Sequence, residues 1–224
     1  YKKEAPKELV VMGCLSQRYR AELAEEIPEI DALLGVKEFH RLAERLPVAG
    51  PGENHRGRFL TTPAHYADLK IAECCDNHCT YCVIPSIRGP YTSVPMDTLV
   101  KEARTLAEKG MVELIVVAQD TTRYGEDLYG ENRLPALLRA LSEIEGIQWI
   151  RLLYAYPESI SDDLLSEMAG NDKIVKYIDM PLQHIADTVL RRMGRRTTRK
   201  EIEDVISRIR RAHPDFVLRT TLIT

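Results

Sequence analysis

No run of about 18 apolar residues occurs in the 224-residue chain, and no signal-peptide pattern opens it. A membrane-spanning helix is therefore excluded, and export is not expected. A charge excess is also lacking: 31 Lys and Arg stand against 34 Asp and Glu, a formal net charge of −3. Without a global field toward nucleic acid, any polyanion contact has to come from a local patch. Cysteine is scarce, five residues with three of them clustered, which argues against a disulfide scaffold and for metal chemistry in a reducing, cytoplasmic setting. What remains is ordinary for a globular protein, 44% apolar and 29% charged, with room for one large domain and part of another. The chain starts at Tyr1 without Met and stops in the strand-like segment Leu218–Thr224, so a fragment of a longer protein is expected.

The clustered cysteines are Cys75, Cys79 and Cys82, a C-x3-C-x2-C triplet placed just after the strand-like segment Ala67–Glu73. Three thiolates at this spacing can ligate three irons of a cubic iron–sulfur cluster and leave the fourth iron open to a small molecule. The competing reading is a closed tetrahedral zinc site completed by His78 or Cys74. Against it, His78 sits directly beside Cys79 in the same short loop, and no second cysteine pair follows. Cys74 reads as a spare thiol and not as a ligand.

Strand and helix signals alternate along the chain. Glu8–Met12 is a short apolar strand, followed by Gly13-Cys14 and a helix from about Gln17 to Ile27; Ile30–Val36 and a helix over Lys37–Leu46 repeat the rhythm. This is the expectation for residues 1–46, a piece of a small α/β domain, with residues 47–66 as a linker rich in Pro, Gly, Asn, His and Arg. From residue 67 to 224 strands are expected at 67–73, Val112–Gln119, Trp149–Tyr156, Tyr177–Pro181 and Phe216–Ile223. The intervening helices show 3.6-residue apolar spacing, as in Leu134, Leu137, Leu138, Leu141 and Ile144. Gly110, Gly146 and Gly170 suit left-handed C-caps, Pro135 a first turn, and Thr198 with Glu201 a capping box. Repeated βα units call for a parallel sheet, and strands without closure suit an open, partial (β/α) barrel with its working residues at the C-terminal strand ends.

Those ends carry the other candidates. Tyr81 lies inside the triplet, and Val117–Gly125 places Gln119 and Asp120 in a polar burst after an apolar strand. Gln183 and His184 end the fourth strand, where His184 reads more readily as a structural hydrogen-bonder than as a catalyst. Arg219 sits in an apolar and hydroxylic strand, where a buried guanidinium would need an anionic partner. Arg191, Arg192, Arg195, Arg196, Arg199 and Lys200 form a basic run, and Arg88 adds charge beside the cysteine loop. Such a run is usually a solvated face, or else a dock for a ribosomal particle or RNA through phosphate contacts.

Together these motifs resemble the methylthiotransferases, a subfamily of the radical S-adenosylmethionine (SAM) enzymes, over essentially the whole chain. The resemblance implies that Cys75, Cys79 and Cys82 hold a [4Fe-4S] cluster whose open iron binds SAM, yielding a 5′-deoxyadenosyl radical on reduction by an electron donor protein. It implies adenine contact for Tyr81, and SAM contact for Gln119 and Asp120; by their strand-end positions Gln183 and His184 are within reach of ribose or substrate, and a SAM or substrate carboxylate would serve as the partner of Arg219. Gly13-Cys14-Leu-Ser-Gln17 resembles the last cysteine motif of that subfamily's N-terminal domain, which makes Cys14 one ligand of a second [4Fe-4S] cluster in the full-length protein. Related families usually carry Gly where Cys74 stands. Ile84–Gly89, Ala118–Gly125 and Met180–His184 are closer to the RimO type, which modifies an aspartate of small-subunit ribosomal protein twelve, than to the tRNA-modifying MiaB type. The implied partners are that protein or the small ribosomal subunit, with no membrane.

Overall fold

A computed structural model describes residues 8–36, 38, 41–42 and 61–223. The described parts of Tyr1–Asn54 with Val83–Gly89 form one compact unit, and those of His55–Cys82 with Pro90–Thr224 a second. Most of the helix expected over 37–46 and of the linker expected over 47–66 lies outside the described residues.

In the first unit, β1 (Val10–Met12) runs parallel to β2 (Ala32–Leu34), with Val11 opposite Leu33. The single helix expected between them is two, α1 (Cys14–Arg18) and α2 (Arg20–Glu26), because Tyr19 leaves helical geometry at φ −118° and ψ 39°. Buried Ser16 ties α1 to the sheet by donating to the carbonyls of Gly13 (3.0 Å) and Leu34 (2.5 Å). The short helix α3 (Ile84–Arg88), started by Pro85 and half-burying Ile84 and Ile87, groups with this unit.

The second unit is an open, partial (β/α) barrel. Strand β3 (Tyr66–Lys70) is followed at once by β4 (Ala72–Glu73), which turns away to pair antiparallel with β5 (Thr92–Ser93). The strand expected over 67–73 is thus split at Ile71, whose N–H donates to Val117 and whose carbonyl accepts from Val94. Helix α4 (Met96–Glu108), β6 (Glu113–Val117), α5 (Glu126–Tyr129), α6 (Leu134–Ser142) and β7 (Trp149–Leu152) follow. Then come a 3₁₀ turn (Pro157–Ser159), α7 (Asp162–Gly170), β8 (Tyr177–Asp179), α8 (Asp187–Arg192), α9 (Arg199–Ala212) and β9 (Val217–Arg219). Strands β3, β6 and β7 pair in parallel in that order, and so do β8 and β9. A parallel bridge between Ile150 and Ile174, with Ala155 N–H donating to Asp179, links the two sets.

Burial alternates along β3: Ala67 and Leu69 are inaccessible while Asp68 and Lys70 are exposed. Only one face is therefore covered, by helices presenting Leu99, Ala103, Leu137, Leu138, Leu141, Leu165, Met168, Val205 and Ile209 to a common core. The punctuation expected from sequence is largely present. Gly110 and Gly146 take positive φ, Pro135 lies in the first turn of α6, and Thr198 and Glu201 form the reciprocal capping box. Gly170 does not cap in the left-handed conformation. It is the last residue of α7, and Asn171 continues extended at φ −105°.

Candidate functional site

Parallel pairing puts the C-terminal ends of the strands along one edge, and the triplet loop lies there. Cys75 and Cys79 are buried and Cys82 is exposed. Asn77 folds the loop back by donating through Nδ2 to Cys75 Sγ (3.1 Å) and to Asp120 Oδ2 (3.0 Å) beyond β6. The other Asp120 oxygen accepts from the N–H (3.1 Å) and hydroxyl (2.6 Å) of Thr122, and the Tyr91 hydroxyl donates to the Asp120 carbonyl (2.9 Å). Asp120 is fully buried and its carboxylate is saturated by these donors. Burial pushes its carboxyl above the usual range, against the pull of Thr122 and Asn77 toward the ionised form. Through Asn77 the residue anchors the cysteine loop to the end of β6. Its neighbour Gln119 is exposed.

The burial expected of Arg219 is not found. Its guanidinium is exposed, and it pairs with buried Asp179 (Nη1 to Oδ2, 3.1 Å), the residue opposite it in the β8–β9 register. Tyr81 is half exposed, with its phenol pushed up to about 12 by burial and the adjacent Cys79. Gln183 is half-buried in a left-handed conformation (φ 69°), bridged to Leu222. His184 accepts from the Ala186 N–H through Nδ1 (2.9 Å), the structural role expected of it. Cys14 begins α1 of the other unit. Cys74 is buried at φ 68°, a conformation a glycine takes without steric cost.

The basic run divides. Arg191, Arg192, Arg196, Arg199 and Lys200 are exposed, and Arg199 pairs with Glu203 (2.8 Å). Arg195 is not on a solvated face: it is 7% exposed. The turn after α8 takes it inward. Gly194 at φ 71° lets its own N–H donate to Arg191 and the Arg195 N–H to Leu190, the paired bonds of a Schellman cap. The neighbouring carbonyls of Arg192 and Met193 accept from the Thr80 hydroxyl (3.1 Å) and N–H (2.9 Å), which fastens the cysteine loop to the helix end. Arg195 then lies over the Tyr156 ring (4.5 Å to its centroid), donates to the Pro181 carbonyl (2.7 Å) and places Nη1 4.0 Å from Cys79 Sγ. Asn77, Tyr156, Gly194 and the inward turn of Arg195 went unread in the sequence. The Met193-Gly194 step after a helical stretch was the available signal.

The donors around the thiols fit an iron–sulfur cluster. Among the described residues no three His, Cys, Asp or Glu side chains are grouped as one metal ion would need. A cubic cluster asks each iron for only one thiolate, and the donors at hand, the Asn77 amide and the Arg195 guanidinium, are directed at sulfur. Burial pushes the Cys75 thiol up against the hydrogen bonds of Asn77, so the thiolate here is favoured by a bound cation. A cleft of about 440 Å³ among the outer helices, lined by Asn132, Arg133, Arg139 and Glu167 among others, contains none of the candidate residues.

The chain is 49% identical, over an alignment of 236 positions covering all of it and 53% of the relative, to the ribosomal protein uS12 methylthiotransferase RimO of Clostridium tetani. It is 50% identical over 224 positions, 97% of the chain and 51% of the relative, to the protein of the same name from Alkaliphilus oremlandii. The chain thus spans about half the length of these relatives. Among solved structures it is similar in fold to the radical SAM methyltransferase TsrM of Kitasatospora setae (TM-score 0.52, 15% identity, 70% of this chain and 30% of that one). The cobalamin-dependent radical SAM enzyme OxsB is a second fold neighbour (TM-score 0.56, 13% identity, 70% and 23%). The family model described as "Radical SAM superfamily" matches residues 69–224, from within β3 through every barrel strand and the cysteine triplet, and the chain belongs to that superfamily.

Proposed function

We propose that this chain forms the radical-generating part of a methylthiotransferase that places a methylthio group on the β-carbon of an aspartyl residue of ribosomal protein uS12. The observation that carries this reading is the triplet at the strand ends, in a chain about half identical over nearly its whole length to proteins that bear that name. Cys75, Cys79 and Cys82 would hold a [4Fe-4S] cluster, with Tyr81, Gln119, Asp120, Gln183 and Arg219 toward SAM. Bound there, a reduced cluster with SAM supplies a 5′-deoxyadenosyl radical, the reagent needed for a C–H bond too weakly acidic for a side-chain base. Asp120, Asn77 and Tyr156 fix the loop, and Asp179 holds Arg219.

Residues 1–46 are proposed as the end of an N-terminal α/β domain, 47–66 as a linker and 67–224 as the barrel. Cys14 is proposed as one ligand of a second [4Fe-4S] cluster in the full-length protein, the remaining ligands coming from outside this sequence. A cytoplasmic location and an electron donor protein complete the proposal; among the described residues no helix is long and apolar enough to cross a membrane.

Mass spectrometry of uS12 and of tRNA from cells lacking the gene tests the substrate. Loss of the methylthio mass from uS12 is the expected result, and loss from tRNA alone would overturn the assignment. Anaerobic reconstitution tests the chemistry: iron and sulfide should bind, and 5′-deoxyadenosine should form from SAM on reduction.

A further inference from the structure

Arg195 is a permanent cation with 7% of its surface exposed, and among the described residues the groups that act on its charge are Tyr156, Cys79 and Tyr81, none of them a carboxylate. Its Nε–H has no acceptor among them either. Pro181 satisfies one Nη2 donor and the Tyr156 ring covers one face of the guanidinium, but neither neutralises a charge. A buried cation without a counter-ion is strongly disfavoured, so the site is built for an anion. The nearest sulfur is Cys79 Sγ at 4.0 Å, and the same turn that delivers Arg195 also clamps Thr80, the next residue of the loop.

We propose that Arg195 is a positioning residue for the sulfur cluster of Cys75, Cys79 and Cys82: its guanidinium is the resident counter-charge of the Cys79 thiolate and favours the reduced form of the cluster. The inference rests on the cluster reading of the triplet. One-electron reduction, by dithionite or titanium(III) in a titration, adds one negative charge to the cluster and none elsewhere. A fixed positive charge against a ligating sulfur favours that state, as hydrogen bonds and net charge do in iron–sulfur proteins generally. The guanidinium takes no proton and forms no bond to carbon. The fork of the guanidinium explains why an arginine fits here: one N–H goes to Pro181, one to Cys79, and the Nε–H is left for a second sulfur.

The test compares wild type, Arg195→Gln and Arg195→Lys after anaerobic reconstitution, by iron and sulfide content, by electron paramagnetic resonance during redox titration, and by SAM affinity from equilibrium binding. Arg195→Gln should keep its cluster but shift the reduction equilibrium about tenfold toward the oxidised state, about 59 mV for one electron. Arg195→Lys should lie close to wild type. An unchanged potential in Arg195→Gln with SAM binding weakened tenfold or more would overturn the proposal and make Arg195 a carboxylate ligand. Should Arg195→Gln fail to retain iron, retention by Arg195→Lys supports the charge, and equal loss in both overturns it. Wild type that assembles no iron and sulfide defeats the underlying cluster reading, a failure distinct from a cluster whose potential ignores Arg195.

Discussion

Cys74 and Cys75 are adjacent, both buried, and chemically alike, yet their surroundings assign them different work. Cys75 accepts from Asn77 and lies within the network that reaches Asp120, whereas Cys74 sits at φ 68°. Its Cβ is a source of backbone strain in a position suited to glycine. Cys74→Ala should therefore retain wild-type iron after reconstitution, while Cys75→Ala, Cys79→Ala and Cys82→Ala each lose most of it. Colorimetric iron and visible absorbance read the difference, and iron loss on changing Cys74 would reopen the ligand set. The residue types at this loop were legible in sequence. The burial of Asp120 and the exposure of Arg219 were not, because each depends on which neighbour in another strand supplies donors or a counter-ion.

At the scale of elements, short segments held by single polar side chains give the clearest expectations. Glu38 accepts from the Gly35 N–H (2.7 Å) and from Arg20 and Arg41, and these interactions, the Gly35 bond first, hold its carboxyl down at about 2 from an ordinary 4.5. Because the folded value lies below the unfolded one, this stabilisation is complete above about pH 4.5 and is lost as the pH falls through about 2. A carboxyl-detected NMR titration should show the Glu38 signal moving with a midpoint near 2, and a midpoint near 4.5 would show the Gly35 turn to be unformed. Gly194 offers a second case. A Cβ there would meet the His78 carbonyl at 3.2 Å, on a backbone at φ 71°. Gly194→Ala should cost about 1–2 kcal/mol in urea denaturation and loosen the cysteine loop, since the left-handed cap and the Thr80 clamp share this turn. No measurable loss would mean that the turn relaxes freely.

For the whole molecule, the helical face burying Leu134, Leu137, Leu138 and Leu141 is part of the core that supports the strands and hence the edge where the thiols stand. Leu138 is inaccessible, and Leu138→Ala should cost about 2–5 kcal/mol through lost burial and a residual cavity. Denaturant unfolding checks it, and a change below about 1 kcal/mol would indicate that the neighbouring helices close over the gap.

Local chemistry fixed much of this protein in advance. The 3.6-residue leucine spacing of α6, the Thr198–Glu201 box and the repeated βα rhythm are satisfied within a few residues of chain, so an open parallel barrel could be read from them. The cysteine spacing likewise carries the expectation of a cluster. Tertiary structure alone decided that the strand over 67–73 breaks at Ile71, that Arg219 spends its charge on Asp179, and that Arg195 leaves its basic neighbours to lie against Cys79. Periodicity carries the first kind of information because helices and strands repeat. Whether a charge is buried, and against what, is set by partners as far as 116 residues away in the chain, and no local pattern encodes them.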